Sequence, residues 1–363
     1  MKTSTSKRLR WNIAIWLAAG LFMTGAAGMA AGPIMPDPKA EARHQPQIEE
    51  TANGIPLVNI TAPSSGGVSR NEYETFNVPD KGAILNNSYT LSKTELAGYV
   101  QGNNNMAERP AKIIVNEVTG AGSTSMDGFL EVAGNRADVV IANPNGITVN
   151  GGGFINTGKA FLTTGKPVYD GEDHLQRFDI TGGDILIEGK GLGGKETESL
   201  AILSRAVKIN AGIWAKDLHI TTGANTVDAK TLEASAIEGK GGRPAFALDT
   251  AAIGGMYAGR ITLVGTEKGL GVNNSGTWSA EDNLILDWNG DLKNSGTIYS
   301  KGNTDLRASR LENDKTIAAE RNLSAAAKEN IRNQGKLLAG ENMDIYAGKT
   351  LDNACLLYTS DAA

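Results

Sequence analysis

The chain is 363 residues long, 40% of it is apolar, and its formal net charge is −5, so it can bury a large core. An acidic balance without a basic cluster excludes nucleic acid and anionic lipid surfaces as expected partners. The one cysteine, Cys355, excludes an intramolecular disulfide, and stability must come from packing and hydrogen bonds.

The first 30 residues read as a signal peptide. Lys2, Lys7, Arg8 and Arg10 form a basic start, and residues 11–23 are an apolar core too short for a good membrane span. Gly28 and Ala30 are small residues placed for cleavage between Ala30 and Ala31. Cleavage removes those four basic residues and no acidic one, which takes the charge from −5 to −9. No later stretch is long and apolar enough to cross a bilayer as a helix, so stable membrane insertion is not expected. Residues 31–53 carry Pro33, Pro36, Pro38 and Pro46 among polar residues and read as a mobile leader.

From Gly54 onward the chain reads as short strands. Apolar runs occur at 56–60, 73–78, 83–85, 112–115 and 129–132, and clearer alternation at 138–142, 146–149, 184–188, 206–210 and 217–221. Glycine supplies 45 residues, roughly 12% against a usual ~7%. Asn-Gly, Gly-Gly and Asn-Asn pairs mark tight turns, and convincing amphipathic helices are absent.

From residue 271 a repeat takes over. Val272, Leu292, Leu311, Ile331 and Leu351 begin units 20, 19, 20 and 20 residues apart. Two positions after each start sits an asparagine: Asn274, Asn294, Asn313, Asn333 and Asn353. Eleven positions after the first four starts sit Asn283, Asn303, Asn322 and Asn342. The position six after the start is large and apolar (Trp278, Ile298, Ile317, Leu337), and the position eight after is small (Ala280, Ser300, Ala319, Ala339). A period near 20 means that each unit must stack on its neighbours to bury its apolar face. Two alternating strands per unit, with the small residue at a corner between them, give an all-β solenoid of roughly 20-residue coils. The asparagines then form columns, either as left-handed corner residues or as stacked amide ladders. Residues 318–332 favour helix by composition, but the sibling units contain Asn-Ser-Gly-Thr, which breaks helices. A leucine-rich repeat fits worse, since its leucine spacing is unmatched.

No catalytic or metal constellation is visible. His44 in the leader, His174 in a polar loop and His219 on the outward face of a strand read as surface histidines without ligand-spaced neighbours. Residues 189–194 match G-x-G-x-x-G literally but lack a following helix, and no calcium loop is present. No cofactor is expected, and the chain does not read as an enzyme.

Several motifs carry a resemblance. Gly54-Ile55-Pro56-Leu57-Val58-Asn59-Ile60, Gly67-Val68-Ser69-Arg70-Asn71, Phe76-Asn77-Val78, Ile84-Leu85-Asn86-Asn87-Ser88 and Asn116-Glu117-Val118 follow in order. Ile141-Ala142-Asn143-Pro144-Asn145-Gly146-Ile147, Leu162-Thr163-Thr164-Gly165 and Gly254-Gly255-Met256-Tyr257-Ala258-Gly259 continue the series. Residues 54 to about 300 thereby resemble the N-terminal secretion domain of two-partner-secreted exoproteins, the filamentous haemagglutinin and contact-dependent growth-inhibition family. The resemblance implies a right-handed, single-stranded parallel β-helix recognised by a dedicated outer-membrane β-barrel transporter. It implies that 54–270 is the secretion domain and 271–354 the start of haemagglutinin-type repeats.

In that family two asparagine-rich motifs are associated with secretion. One is intact as Asn143, Pro144, Asn145, Gly146 and Ile147; the other, usually Asn-Pro-Asn-Leu, is here Asn103, Asn104, Asn105 and Met106. The intact motif reads as a type I turn, with Pro144 at its second position and Gly146 ending it. The altered motif must turn without a proline to preset φ. Two roles stay open for both: corners that let the first coils fold, and groups that touch the transporter. The resemblance implies secretion or surface display by a diderm bacterium, by way of the periplasm, and a receptor on a host or neighbouring cell. A monomeric autotransporter passenger and a β-helical polysaccharide-degrading enzyme are the alternatives. Residues 355–363 depart from the repeat and read as a non-native tail on a longer natural chain.

Overall fold

A computed structural model describes residues 32–106, 109–354 and 357–359. The expected signal peptide and the expected cleavage residues Ala30 and Ala31 lie outside the described residues. Within them the chain winds as a parallel β-helix. One sheet runs the length of the winding through ten successive strands, from Thr124–Met126 and Ile147–Val149 to Asn330–Asn333 and Thr350–Asn353. The other faces merge into one larger sheet, because Gly212–Thr222 and Gly255–Gly265 are long enough to pass from one face to the next. Side chains alternate in and out along each short strand, and the inward ones form a continuous core from Ile34 to Ala339.

In the repeat each coil holds three short strands, not two. One coil consists of Leu292–Asn294, Thr297–Ser300 and Thr304–Ala308. The unit start and its asparagine belong to the first of these, where Leu292 and Asn294 point in and Lys293 points out. Three residues are too few for a period of two to stand out in sequence, so the first two strands read as one, with its corner at the small residue. Ala280, Ser300, Ala319 and Ala339 end the second strand and are buried at the turn.

Both asparagine columns are ladders. Asn274 Nδ2 donates to Asn294 Oδ1, Asn294 to Asn313, Asn313 to Asn333 and Asn333 to Asn353, at 2.7–2.8 Å. The second column runs in the opposite sense: Asn322 Nδ2 donates to Asn303 Oδ1 at 2.9 Å and Asn342 Nδ2 to Asn322 Oδ1 at 2.8 Å, while the Asn303 amide donates to Asn283 Oδ1 at 2.8 Å. The left-handed alternative fails, since Asn156, Asp173 and Leu232 are the described non-glycine residues with positive φ. Trp278 opens the apolar column because the preceding rung offers a hydroxyl: its Nε1 donates to Thr250 Oγ1 at 3.0 Å.

The expected mobile leader is a cap. Strand Ile34–Pro36 runs antiparallel to Val68–Phe76, and Gln47–Glu50 runs antiparallel to Pro56–Asn59. These are the strands of the first coil, each already paired on its other side with the next one. The cap therefore closes edges that would otherwise present unpaired amides and carbonyls. Its prolines suggested loop, but an edge strand tolerates proline because one side of it needs no donor.

A four-stranded antiparallel sheet (Lys166–Tyr169, Leu175–Ile180, Asn225–Asp228, Ala234–Ala236) lies outside the coils and buries Phe178 and Val227 against Val115, Val140 and Phe161. The G-x-G-x-x-G match runs through a turn, where Gly189 and Gly191 have positive φ, into strand Leu192–Gly194, and so has no nucleotide-binding helix. At the far end, Leu357–Thr359 pairs in register with Lys336–Ala339. This stretch of the supposed tail keeps the rung; Cys355 and residues 360–363 lie outside the described residues.

Candidate functional site

The two asparagine-rich motifs build one local structure twice. In the intact motif the Gly146 amide donates to the Asn143 carbonyl at 3.1 Å, and the Asn145 amide donates to Asn143 Oδ1 at 2.9 Å. This is a hydrogen-bonded turn closed a second time by its own first side chain. Asn143 Nδ2 reaches the preceding coil, donating to the Gly122 carbonyl at 2.9 Å and to Thr124 Oγ1 at 3.0 Å. Asn145 Nδ2 donates to the Gly120 carbonyl at 2.8 Å. Gly146 leaves the turn at a φ of +113°, which a side chain rarely adopts, and Ile147 enters the core.

The altered motif repeats both turn-closing bonds and again ties its asparagine amides to earlier segments of the chain. The Met106 amide donates to the Asn103 carbonyl at 3.1 Å, and the Asn105 amide to Asn103 Oδ1 at 3.0 Å. Asn103 Nδ2 donates to the Ile60 carbonyl at 2.8 Å and the Asn86 carbonyl at 2.9 Å, while Asn105 Nδ2 donates to Ile60 at 3.1 Å. Met106, at the turn position that Gly146 holds in the other motif, is itself buried. The turn forms as a 3-10 segment, Asn104–Met106, so the asparagine cap replaces what proline would preset. In each motif the first asparagine and the closing apolar residue are buried, whereas Asn104, Pro144 and Asn145 are exposed.

Buried asparagines that the sequence reading quoted within motifs, without giving them a role, extend this network. Asn87 Nδ2 donates to the Ala111 and Asn135 carbonyls at 2.9 Å, and its Oδ1 accepts from the Ala111 amide at 2.7 Å. Asn116 accepts from the Tyr73 hydroxyl at 2.9 Å and donates to the Val140 carbonyl at 3.2 Å. Asn71 accepts from the Thr61 amide at 2.9 Å and stands opposite Asn116 in the ladder. The available signal was an asparagine inside an otherwise apolar strand, as in Ile84-Leu85-Asn86-Asn87.

Beside the first motif lies an ion cluster that joins residues distant in sequence. Arg70 contacts Glu72 at 2.8 Å and Glu117 at 3.6 Å, and its guanidinium sits 4.5 Å from the Tyr169 ring centre. His44 Nδ1 lies 3.0 Å from Glu72, so the expected surface histidine is instead buried between the cap and the first coil. Burial, aided by the charge of Arg70, holds the His44 pKa below its usual value against the pull of Glu72. Burial likewise pushes the Glu117 carboxyl up. His174 is partly exposed beside Asp170, its Nδ1 at 2.9 Å. His219 is partly buried on the outward face, and burial drives its pKa down to about 4 against the opposing Asp217 carboxylate. Among the described residues no group of three or more His, Cys, Asp or Glu could hold a metal ion, and no helix is long and apolar enough to cross a membrane.

Comparison with known proteins extends these observations. Residues 33–298 match the family described as TPS secretion domain, and residues 289–362 match the haemagglutinin repeat. Toxin CdiA of Yersinia pestis is 42% identical over 298 residues, which are 76% of this chain and 9% of that protein. The 16S rRNA endonuclease CdiA of Enterobacter cloacae is 39% identical over 334 residues, 84% of this chain and 10% of that protein. The chain thus spans about a tenth of the length of these curated relatives. A crystal structure of the filamentous hemagglutinin secretion domain matches with a TM-score of 0.68 at 28% identity, covering 89% of this chain and 100% of that one. A capped parallel β-helix, paired asparagine turns and a repeat that continues the coils account for both family matches: the chain belongs to the two-partner-secretion exoproteins, with a TPS secretion domain leading into haemagglutinin repeats.

Proposed function

We propose that this chain directs the export of a larger exoprotein through a partner outer-membrane β-barrel transporter and starts its β-helical fibre at the cell surface. The observation that carries the reading is the duplicated turn, because two sequences with different second residues converge on the same pair of turn-closing hydrogen bonds. Each turn divides its labour. Asn103 and Asn143 tie a coil to the one before it, and Asn104, Pro144 and Asn145 present exposed side chains that a transporter can read.

Export passes through the periplasm, and the fibre carries adhesion or toxin delivery toward a receptor on a host or neighbouring cell. The nuclease activities in the relatives' names belong, on this reading, to parts of those longer proteins beyond the tenth matched here. The chain itself acts as a secretion and scaffold module, not as an enzyme.

Co-expression with a two-partner transporter tests this. Asn143→Leu is expected to abolish secretion and to slow refolding of the purified chain. Asn104→Ala and Pro144→Ala are expected to lower secretion while leaving refolding unchanged. Normal secretion of Asn143→Leu would refute a role for the motif, and normal secretion of both surface variants would refute direct reading by the transporter.

A further inference from the structure

On one outward face of the coils, a line of ladder partners passes through Phe129, Gly153, Gly193, Trp214 and Tyr257. The aromatic rings on this line lie flat on the sheet, because glycines leave room beneath them. A Cβ on Gly153 would fall 2.4 Å from the Phe129 ring, one on Gly212 would fall 2.4 Å from the Trp214 ring, and one on Gly255 would meet Tyr257 at 2.8 Å. Trp214 and Tyr257 are nearly parallel, with an interplanar angle of 17° and centroids 6.2 Å apart. Phe129 is 44% exposed and Tyr257 39%. Between Phe129 and Trp214 the glycine floor leaves a groove of about 310 Å³, flanked by the exposed Lys195 and Glu196.

We infer that this face is a binding platform for a neutral, extended glycan, whose sugar rings stack on Phe129, Trp214 and Tyr257 and whose hydroxyls meet Lys195 and Glu196. Flat rings with open faces suit the C–H face of a pyranose, which is planar and weakly positive against the negative π face. A sugar in an extended β-linked chain advances by about 5 Å per ring, close to the ~4.8 Å between rungs, so successive sugars meet successive coils. A peptide suits the face less well. Phe129–Gly134 is already paired on both sides, as is Gly212–Thr222, so no strand edge is open to add a peptide backbone. Cation and anion alternate beside the groove on an acidic chain, which favours a neutral glycan over a polyanion.

Trp278 and Trp288 are fully buried, so the fluorescence difference between the parent chain and Trp214→Phe isolates one partly exposed indole on this face. Cellohexaose is expected to shift that difference signal saturably, and glucose is not. Phe129→Leu keeps an apolar cover over Gly153 but removes the ring, and should weaken cellohexaose binding about fivefold with an unchanged circular-dichroism spectrum. Lys195→Ser, on an exposed side chain, should weaken binding without affecting folding. No saturable signal up to about 10 mM sugar, a range that covers the weak binding a single stacking platform supports, would overturn the platform. So would parent-like binding by both variants. A signal raised by the transporter's periplasmic domains but not by cellohexaose would instead make this a protein-docking face.

Discussion

The first coils and the repeat both bury asparagine inside an apolar stack, yet they use it differently. In the repeat, equivalent asparagines bond one another, so each rung is satisfied by any neighbour carrying the same residue at the same phase. In the first coils, Asn71, Asn87, Asn103, Asn116 and Asn143 each serve a different set of backbone groups. A ladder specifies register and allows the coil number to vary. An individual clamp specifies one coil against one neighbour. The repeat therefore suits a shaft of adjustable length, while the first coils suit one fixed surface, as the proposed reading by a transporter requires.

Breaking a clamp should have the largest effect. Asn143→Leu takes a buried amide out of the corner and leaves the buried Thr124 hydroxyl, the Gly122 carbonyl and the Asn145 amide without that partner, which is expected to cost about 3 kcal/mol and to lower the denaturant midpoint. Asn313→Leu removes its bonds to Asn294 and Asn333, and about 2 kcal/mol is expected, since the ladder on either side persists. The same change at Asn322, in the less buried column, should stay below about 1 kcal/mol. Equal losses at Asn143 and Asn322 in urea titrations would erase the distinction between clamp and ladder.

The pH dependence separates the regions further. Burial lowers the His219 pKa to about 4, below its unfolded value near 6.5, so the unfolded chain binds the proton more readily across that window. The stability linked to His219 is complete above about pH 6.5 and is lost as pH falls toward 4. His219→Gln should flatten the stability profile between those values, and an unchanged acid slope in thermal melts would discount the residue. The smallest effect is expected on the shaft surface, where Arg310 reaches Asp291 on the neighbouring coil at 2.5 Å with both side chains exposed. Arg310→Ala should leave the urea midpoint almost unchanged, and high salt should abolish any difference from the parent chain.

The repeat was legible because its signals recur: a phase seen five times at Asn274 through Asn353 outweighs the helix-favouring composition of residues 318–332. The intact turn at Asn143 was legible from Pro144 and Gly146, whose backbone preferences are local. His44, Arg70, Glu72 and Glu117 were not legible as a group, because their contacts join coils that are dozens of residues apart. The cap failed for a related reason. Residues 33–53 have weak local propensity and become strands only because the first coil offers them open edges.

The sequence alone determined the winding. A 20-residue period of inward apolar residues, with asparagine and small residues at fixed phases, has few other ways to bury its face. Tertiary structure decided what the individual asparagines do. Asn103, followed by a residue other than the family's proline, closes the same turn as Asn143 because the preceding coil holds out carbonyls at the right height. Local preference sets which turns a chain can make, and long-range hydrogen bonding selects the one that is kept.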